Sequence, residues 1–194
     1  FQNKRGGFFI DVGAYDGVQG SNTLYLEEEL AWKGLAVEAN PTVFKKLKRN
    51  RACKCLQEVV SDQEKEAQLR LFSGWCEQLS SLEDKTESTH ENRIQKELAE
   101  TGSQQAVISV RTKCLKTILE ENHIFEVDYL SIDIEGGEEA ILRSLLADER
   151  FQVQLISVES NALEKVFSLP GYQEIARLGV DFIFEKKKTQ LKIH

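Results

Sequence analysis

At five places in the chain an apolar run stops on acids, amides or hydroxyls: FFIDVGAYDG, GLAVEAN, VVSD, LSIDIEGGE and ISVESN. The residues concerned are Asp11 and Asp16; Glu38 and Asn40; Ser61 and Asp62; Asp133 and Glu135; and Glu159 and Asn161. Such side chains accept hydrogen bonds from hydroxyl and ammonium groups, take up protons and ligate hard cations. The acids among them repel diphosphates. A dinucleotide site needs G-x-G-x-x-G so that pyrophosphate can approach a helix N-terminus. Here Tyr15 stands at the second glycine position and Asp16 follows it, and no G-x-x-x-x-G-K-[ST] occurs anywhere. An acid before the turn and another inside it suit a ligand with an amine and a sulfonium, the groups that S-adenosylmethionine presents. Glu38 ends the second strand, where a carboxylate can accept both ribose hydroxyls. NAD enzymes share that position, so an NAD-dependent oxidoreductase is a rival reading, disfavoured by the first turn. Ser61 and Asp62 suit an adenine amino group.

Asp133 alternates with Glu135, and Glu159 with Asn161, which places each pair on one face of its strand. If the two strands are neighbours, about 4.8 Å apart, these oxygens converge. Methyl transfer to oxygen is an in-line displacement that needs alignment of the reactants and removal of the hydroxyl proton. Asp133 is the preferred base or hydroxyl-orienting group, with Glu159 beside it. Alternatively Asp133, Glu159 and Asn161 could hold Mg²⁺, since an all-oxygen set suits that cation. His90 and His123 are spare bases whose plainer reading is structural.

These residues need a scaffold that ends its strands side by side. Short apolar strands are expected at 8–12, 34–38, 54–60, 67–72, 107–112, 127–132 and 153–159. Helices are expected at 22–30, 41–51, 115–121 and 138–146, with Pro41 opening the second. GYQEIARLG reads as a further helix, and VDFIFEK as a strand that pairs with 190–193. Residues 73–105 are rich in Ser, Glu, Gln and Thr and read as a polar lid. Strands alternating with helices imply an α/β fold, a doubly wound and mostly parallel sheet whose ligands lie outside the carboxyl ends of the strands.

The 194 residues, 41% hydrophobic and 29% charged, fit a single domain, 1–194. A net charge of −7 argues against nucleic acid as a partner. The run Lys45-Lys46-Leu47-Lys48-Arg49 reads as a solvated helix face. No apolar run reaches the roughly 20 residues that span a bilayer. Cys53, Cys55, Cys76 and Cys114 lack metal-like spacing and read as small buried side chains in a reducing, cytoplasmic setting. The chain starts at Phe1 and contains no methionine, so a piece of a longer protein, with other domains as partners, is the expectation.

In their order, FIDVGAYDG, SNTLYLE, GLAVEANP, VVSD, LSSL, DYLSIDIEGGE, VESN and LGVDFIF resemble the FkbM-type S-adenosylmethionine-dependent methyltransferases over nearly the whole chain. The resemblance implies a class I methyltransferase sheet, Rossmann-like and seven-stranded with its last strand antiparallel. It also implies O-methylation, often of sugars or secondary metabolites. Cofactor positions map to Asp11, Gly13, Glu38 and Asp62, and the surrounding Ala14, Tyr15, Asp16, Asn22, Ala39, Asn40, Ser61 and Asp133 complete the expected donor site. Ser80 and Ser81, from the family's SSL segment, join Glu135 and Asn161 as candidate acceptor contacts. A small-molecule or glycan acceptor is the expected partner. The competing class is a methyltransferase-like fold kept as a non-catalytic binding or scaffold domain.

Overall fold

A computed structural model describes residues 3–83, 88–134, 136–159 and 168–188. Among the described residues, a seven-stranded sheet has the spatial order β10-β11-β9-β8-β1-β2-β3. Its strands are β1 (Phe8–Val12), β2 (Lys33–Glu38), β3 (Lys54–Gln57), β8 (Glu126–Ile132), β9 (Gln152–Glu159), β10 (Tyr172–Leu178) and β11 (Asp181–Lys186). The strands β3, β2, β1, β8 and β9 pair in parallel, and β11 runs antiparallel to both β9 and β10. This is the mostly parallel α/β arrangement expected. From β1 the chain proceeds to β2 on one side, while β8 lies on the other. The strand order therefore reverses between β1 and β8, and a crevice opens at their carboxyl ends.

The central strands are apolar on both faces because both are covered. Ile10, Leu35, Leu130, Val153 and Ile156 are fully buried beneath α4 (Leu115–Glu121) and α5 (Glu138–Leu146), which contribute Ile118, Leu119, Leu142 and Leu145. On the opposite face Phe9 and Tyr129 meet Leu26 and Leu30, around the short helix α1 (Leu24–Glu28), together with Trp32. Helix α2 (Pro41–Asn50) is capped by Asn40, whose Oδ1 accepts from the amides of Thr42 and Val43, and it buries Val43 and Leu47. The basic run on α2 exposes its cations and buries Leu47, as a solvated helix face does.

Four expectations need correction. The stretch 54–60 is not one strand: β3 stops at Gln57, and β4 (Val59–Ser61) leaves the main sheet to pair with β7 (Gln105–Cys114). Helix α1 is shorter than 22–30. GYQEIARLG forms the strand β10, not a helix. Its apolar residues Tyr172, Ile175 and Leu178 have helical spacing, but Gly171 and Gly179 bound the stretch at φ 81° and 69°, and a bulge between Glu174 and Ala176 breaks the strand alternation. Its partner β11 has β9 on the other side; residues 190–193 lie outside the described residues.

The lid region is built, not irregular. It contains a 3₁₀ turn (Gly74–Leu79), β6 (Ser81–Leu82) and α3 (Ser88–Thr101). With β5 (Glu66–Phe72), these strands form a second sheet of order β4-β7-β5-β6. Leu79 and Ile94, both fully buried, pack with Phe72 to hold the turn and α3 together. The few apolar side chains in this polar stretch are the ones that anchor it. No described helix is long and apolar enough to cross a membrane.

Candidate functional site

A cavity of about 290 Å³ opens at the carboxyl ends of β1, β2, β8 and β9 and is walled on one side by the second sheet. At its centre the backbones of β1 and β8 meet. The Asp133 amide donates to Val12 O at 2.9 Å, and Gly13 turns at φ 82°. A Cβ on Gly13 would lie 1.7 Å from the Asp133 carbonyl oxygen, so only glycine fits there. The amides of Gly13 and Ala14 both donate to Val37 O, which ties the turn to β2. Tyr15 then adopts φ 50°, a left-handed conformation uncommon for an aromatic residue. Its amide donates to Glu38 Oε2 at 3.0 Å.

Glu38 is buried, and its Oε1 accepts the Asn40 amide at 2.7 Å. Burial pushes its carboxyl up to about 7, against the opposing pull of the Asn40 and Tyr15 amides. Three backbone amides, those of Asn40, Tyr15 and Ala39, thus bond this carboxylate, which has about four lone-pair directions in all. Asp11 is buried too, and burial raises its pKa although Thr23 and Arg51 act the other way. Its Oδ2 accepts from Thr23 Oγ1 at 2.5 Å, with Arg51 Nη1 3.9 Å away.

Arg51, Thr23 and Glu27 were not singled out in the sequence. The Arg51 side chain is fully enclosed: Nε donates to Glu27 Oε2, Nη1 to Gly17 O and Ser21 Oγ, and Nη2 to Thr23 Oγ1. Its guanidinium lies 5.4 Å from the centre of the Phe9 ring. One buried cation thus fixes the whole loop from Gly17 to Thr23 beside Asp11. A lone Arg at a helix end carries no signal of this, because its partners are distant in sequence.

Of the expected donor residues, Asp11, Gly13, Ala14, Tyr15, Asn22, Glu38, Ala39 and Asp133 line the cavity. Asn22 is fixed by donating to Ser131 Oγ. Asp16 is not among the lining residues; its Oδ1 caps the amides of Val18 and Gln19. Asn40 stands behind Glu38. Ser61 and Asp62 are not among the lining residues; Ser61, paired with Cys114 of β7, donates to Asp62 Oδ1. In their place Glu58, Val59 and Val60, at the break between β3 and β4, form that part of the wall.

Ser80 and Ser81 also line the cavity. Ser80 Oγ accepts from Asn40 Nδ2 and the Phe72 amide and donates to Glu77 O. Those bonds use its full hydrogen-bonding capacity and leave none for an acceptor. Glu159 lines the cavity beside Asp133 at the ends of adjacent strands, as β8 and β9 do pair. Asp181 on β11 stands directly across from Glu159, and its pKa is raised by burial and then by that carboxylate. Glu135 and Asn161 lie outside the described residues, as does the side chain of His90. His123 ends α4 and lines a separate cleft with Trp32 and Lys33. Among the described residues no three of His, Cys, Asp and Glu gather as metal ligands, and Asn161, the third member of the Mg²⁺ set, lies outside them. Cys53, Cys55 and Cys114 are free thiols.

Among the described residues the cavity wall carries Asp11, Glu38, Glu58, Glu77, Asp133 and Glu159, and neither lysine nor arginine. Lys46, Arg51 and Lys113 pair with Glu77, Asp11 and Glu58 from behind the wall, so the cavity face offers a phosphate no cation and presents oxygens that suit hydroxyl and ammonium donors. The sequence profile of the methyltransferase FkbM domain matches residues 11–178. Among solved structures, the METTL16 MTase domain aligns with a TM-score of 0.48 at 11% identity, over 95% of this chain and 61% of that one. A search of curated proteins finds no match.

Proposed function

The chain belongs to the FkbM methyltransferase family, and from that premise we propose that it methylates a hydroxyl oxygen of a sugar or polyol-like metabolite, with S-adenosylmethionine as donor. The observation that carries the donor reading is a cavity whose lining, among the described residues, presents carboxylates and no lysine or arginine. It also counts against NAD, whose diphosphate would face those acids. Glu38 would hold the ribose hydroxyls, Asp11 and the Gly13 turn the amino-acid end, and Val59, Val60 and Leu82 the apolar face of the base. The donor supplies a methyl group on a positively charged sulfur.

The acceptor reading rests on Asp133 and Glu159. They stand at the ends of adjacent strands, at the side of the cavity away from Glu38 along the sheet. Asp133 is exposed and can receive a hydroxyl proton from an acceptor approaching from solvent, while Glu159 orients the neighbouring hydroxyl. The hydroxyl loses its proton to the carboxylate as its oxygen gains the methyl group, and the C–S bonding pair returns to sulfur. Alignment of the two reactants supplies most of the remaining rate enhancement.

Mass spectrometry of enzyme, donor and a panel of saccharides, polyols, phenols, peptides and nucleic acids tests the assignment. A 14-dalton gain on a hydroxylated sugar or polyol is expected. Gain confined to peptide or nucleic acid would overturn the acceptor class. No stabilisation of the protein by S-adenosylmethionine or S-adenosylhomocysteine would overturn the donor and favour the scaffold reading.

A further inference from the structure

The 3₁₀ turn Gly74–Leu79 forms a wall of the donor cavity through Glu77, and its apolar anchor Leu79 packs with Phe72 and Ile94 of its own layer. Its hold on α2 is polar. Lys46 Nζ lies 2.5 Å from Glu77 Oε2, and Asn40 Nδ2 donates to Ser80 Oγ at 3.1 Å. Helix α2 therefore grips this segment at two points: its N-cap and a residue beyond its first turn. The Lys46 end is half exposed, whereas Glu77 is largely enclosed against the cavity. The floor of the cavity, by contrast, is made of paired strand ends over a fully buried core.

We propose that Lys46 is a positioning residue that gates donor exchange: through Glu77 it holds the Gly74–Leu79 turn against α2, and the turn lifts from α2 when the donor enters or leaves. This rests on the donor reading of the cavity. Lys46 itself does not line the cavity. Its role is exerted through Glu77, so its loss changes how fast the wall opens more than how well the closed site fits its ligand. An exposed ion pair is also weakened by salt, which gives the seam a second, independent handle.

Stopped-flow binding of S-adenosylhomocysteine to the full chain tests this. For Lys46→Ala, association and dissociation should both accelerate, up to about fivefold, the range open to a single exposed ion pair. The dissociation constant should stay within about twofold, and Lys46→Arg should restore the original rates. High salt should accelerate exchange in the parent protein and add nothing to Lys46→Ala. Unchanged rates in Lys46→Ala would overturn the gate. So would a rise in dissociation alone, which would make the ion pair part of ligand affinity. If Lys46→Ala fails to fold, salt-insensitive rates in the parent protein overturn the proposal equally. Absence of any binding by the parent protein removes the donor reading and the gate together, whereas tight binding with ungated rates removes the gate alone.

Discussion

Gly13 and Asp133 meet backbone to backbone at the point where the strand order reverses, so close that a single added carbon on Gly13 would lie 1.7 Å from the Asp133 carbonyl oxygen. The contact joins the turn after β1 to the residue that follows β8, both of which line the cavity. Gly13→Ala would have to push β1 and β8 apart and also strain the φ of 82°. We expect a loss of at least ~2 kcal/mol of stability, together with most donor affinity. Urea unfolding and calorimetry with S-adenosylhomocysteine check both. A variant within about 0.5 kcal/mol of the parent that still binds would show that the contact is dispensable.

Arg51 is expected to be essential to folding although it never reaches the ligand. Removing it leaves buried Asp11 and largely enclosed Glu27 without their cation and frees the Gly17–Thr23 loop. Loss of one partner of a buried ion pair costs roughly 3–5 kcal/mol, and Arg51→Met should fall in that range. Arg51→Lys should recover little, since one ammonium cannot reproduce the fork that contacts Glu27, Ser21 and Thr23 at once. A measured loss below about 1 kcal/mol for Arg51→Met would contradict the network's role.

Glu38 should make both stability and donor binding depend on pH, in opposite directions. Its folded pKa of about 7 lies above the ordinary 4.5, so the folded state holds this proton more tightly than the unfolded one. Its stabilising contribution is full below about 4.5 and is lost as pH rises through 7; across that window it is on the order of 3 kcal/mol. Glu38→Gln should flatten that decline. Donor affinity should run the other way, rising between pH 6 and 8, because the ionised carboxylate is the better acceptor for ribose hydroxyls. Calorimetry with S-adenosylhomocysteine at the two pH values decides it; equal affinities would remove Glu38 from the ribose contact.

Asp133 should matter to turnover and little to donor affinity. Asp133→Asn keeps the size of the side chain and the backbone contact with Val12, but it cannot take up a proton. With an active acceptor, kcat is expected to fall at least tenfold, about 1.4 kcal/mol, while the donor dissociation constant holds. A smaller drop would move the proton-accepting role elsewhere, with Glu159→Gln the next variant to measure.

The sequence by itself determined the parallel core and the donor turn. Continuous apolar runs such as FFI and GLAV, short and bounded by turn residues, suit a sheet covered on both faces, and a first turn without the second glycine lacks the residue that lets a diphosphate approach closely. Those are local properties, complete within a few residues. Tertiary structure alone decided the rest. Strand β4 crosses into a second sheet because its partner is β7, some fifty residues away, and so Glu58 and Val59 take the place expected for Ser61 and Asp62. Residues 172–178 became a strand because β11 offered an edge, against a helical spacing of their own apolar residues. Ser80 has the same hydroxyl in either reading, but only the approach of Asn40 and Phe72 shows that it is already fully bonded. Arg51 is the clearest instance. Its burial, its ion pairs and its hold on the Gly17–Thr23 loop all come from residues brought to it by folding, and none is encoded beside it.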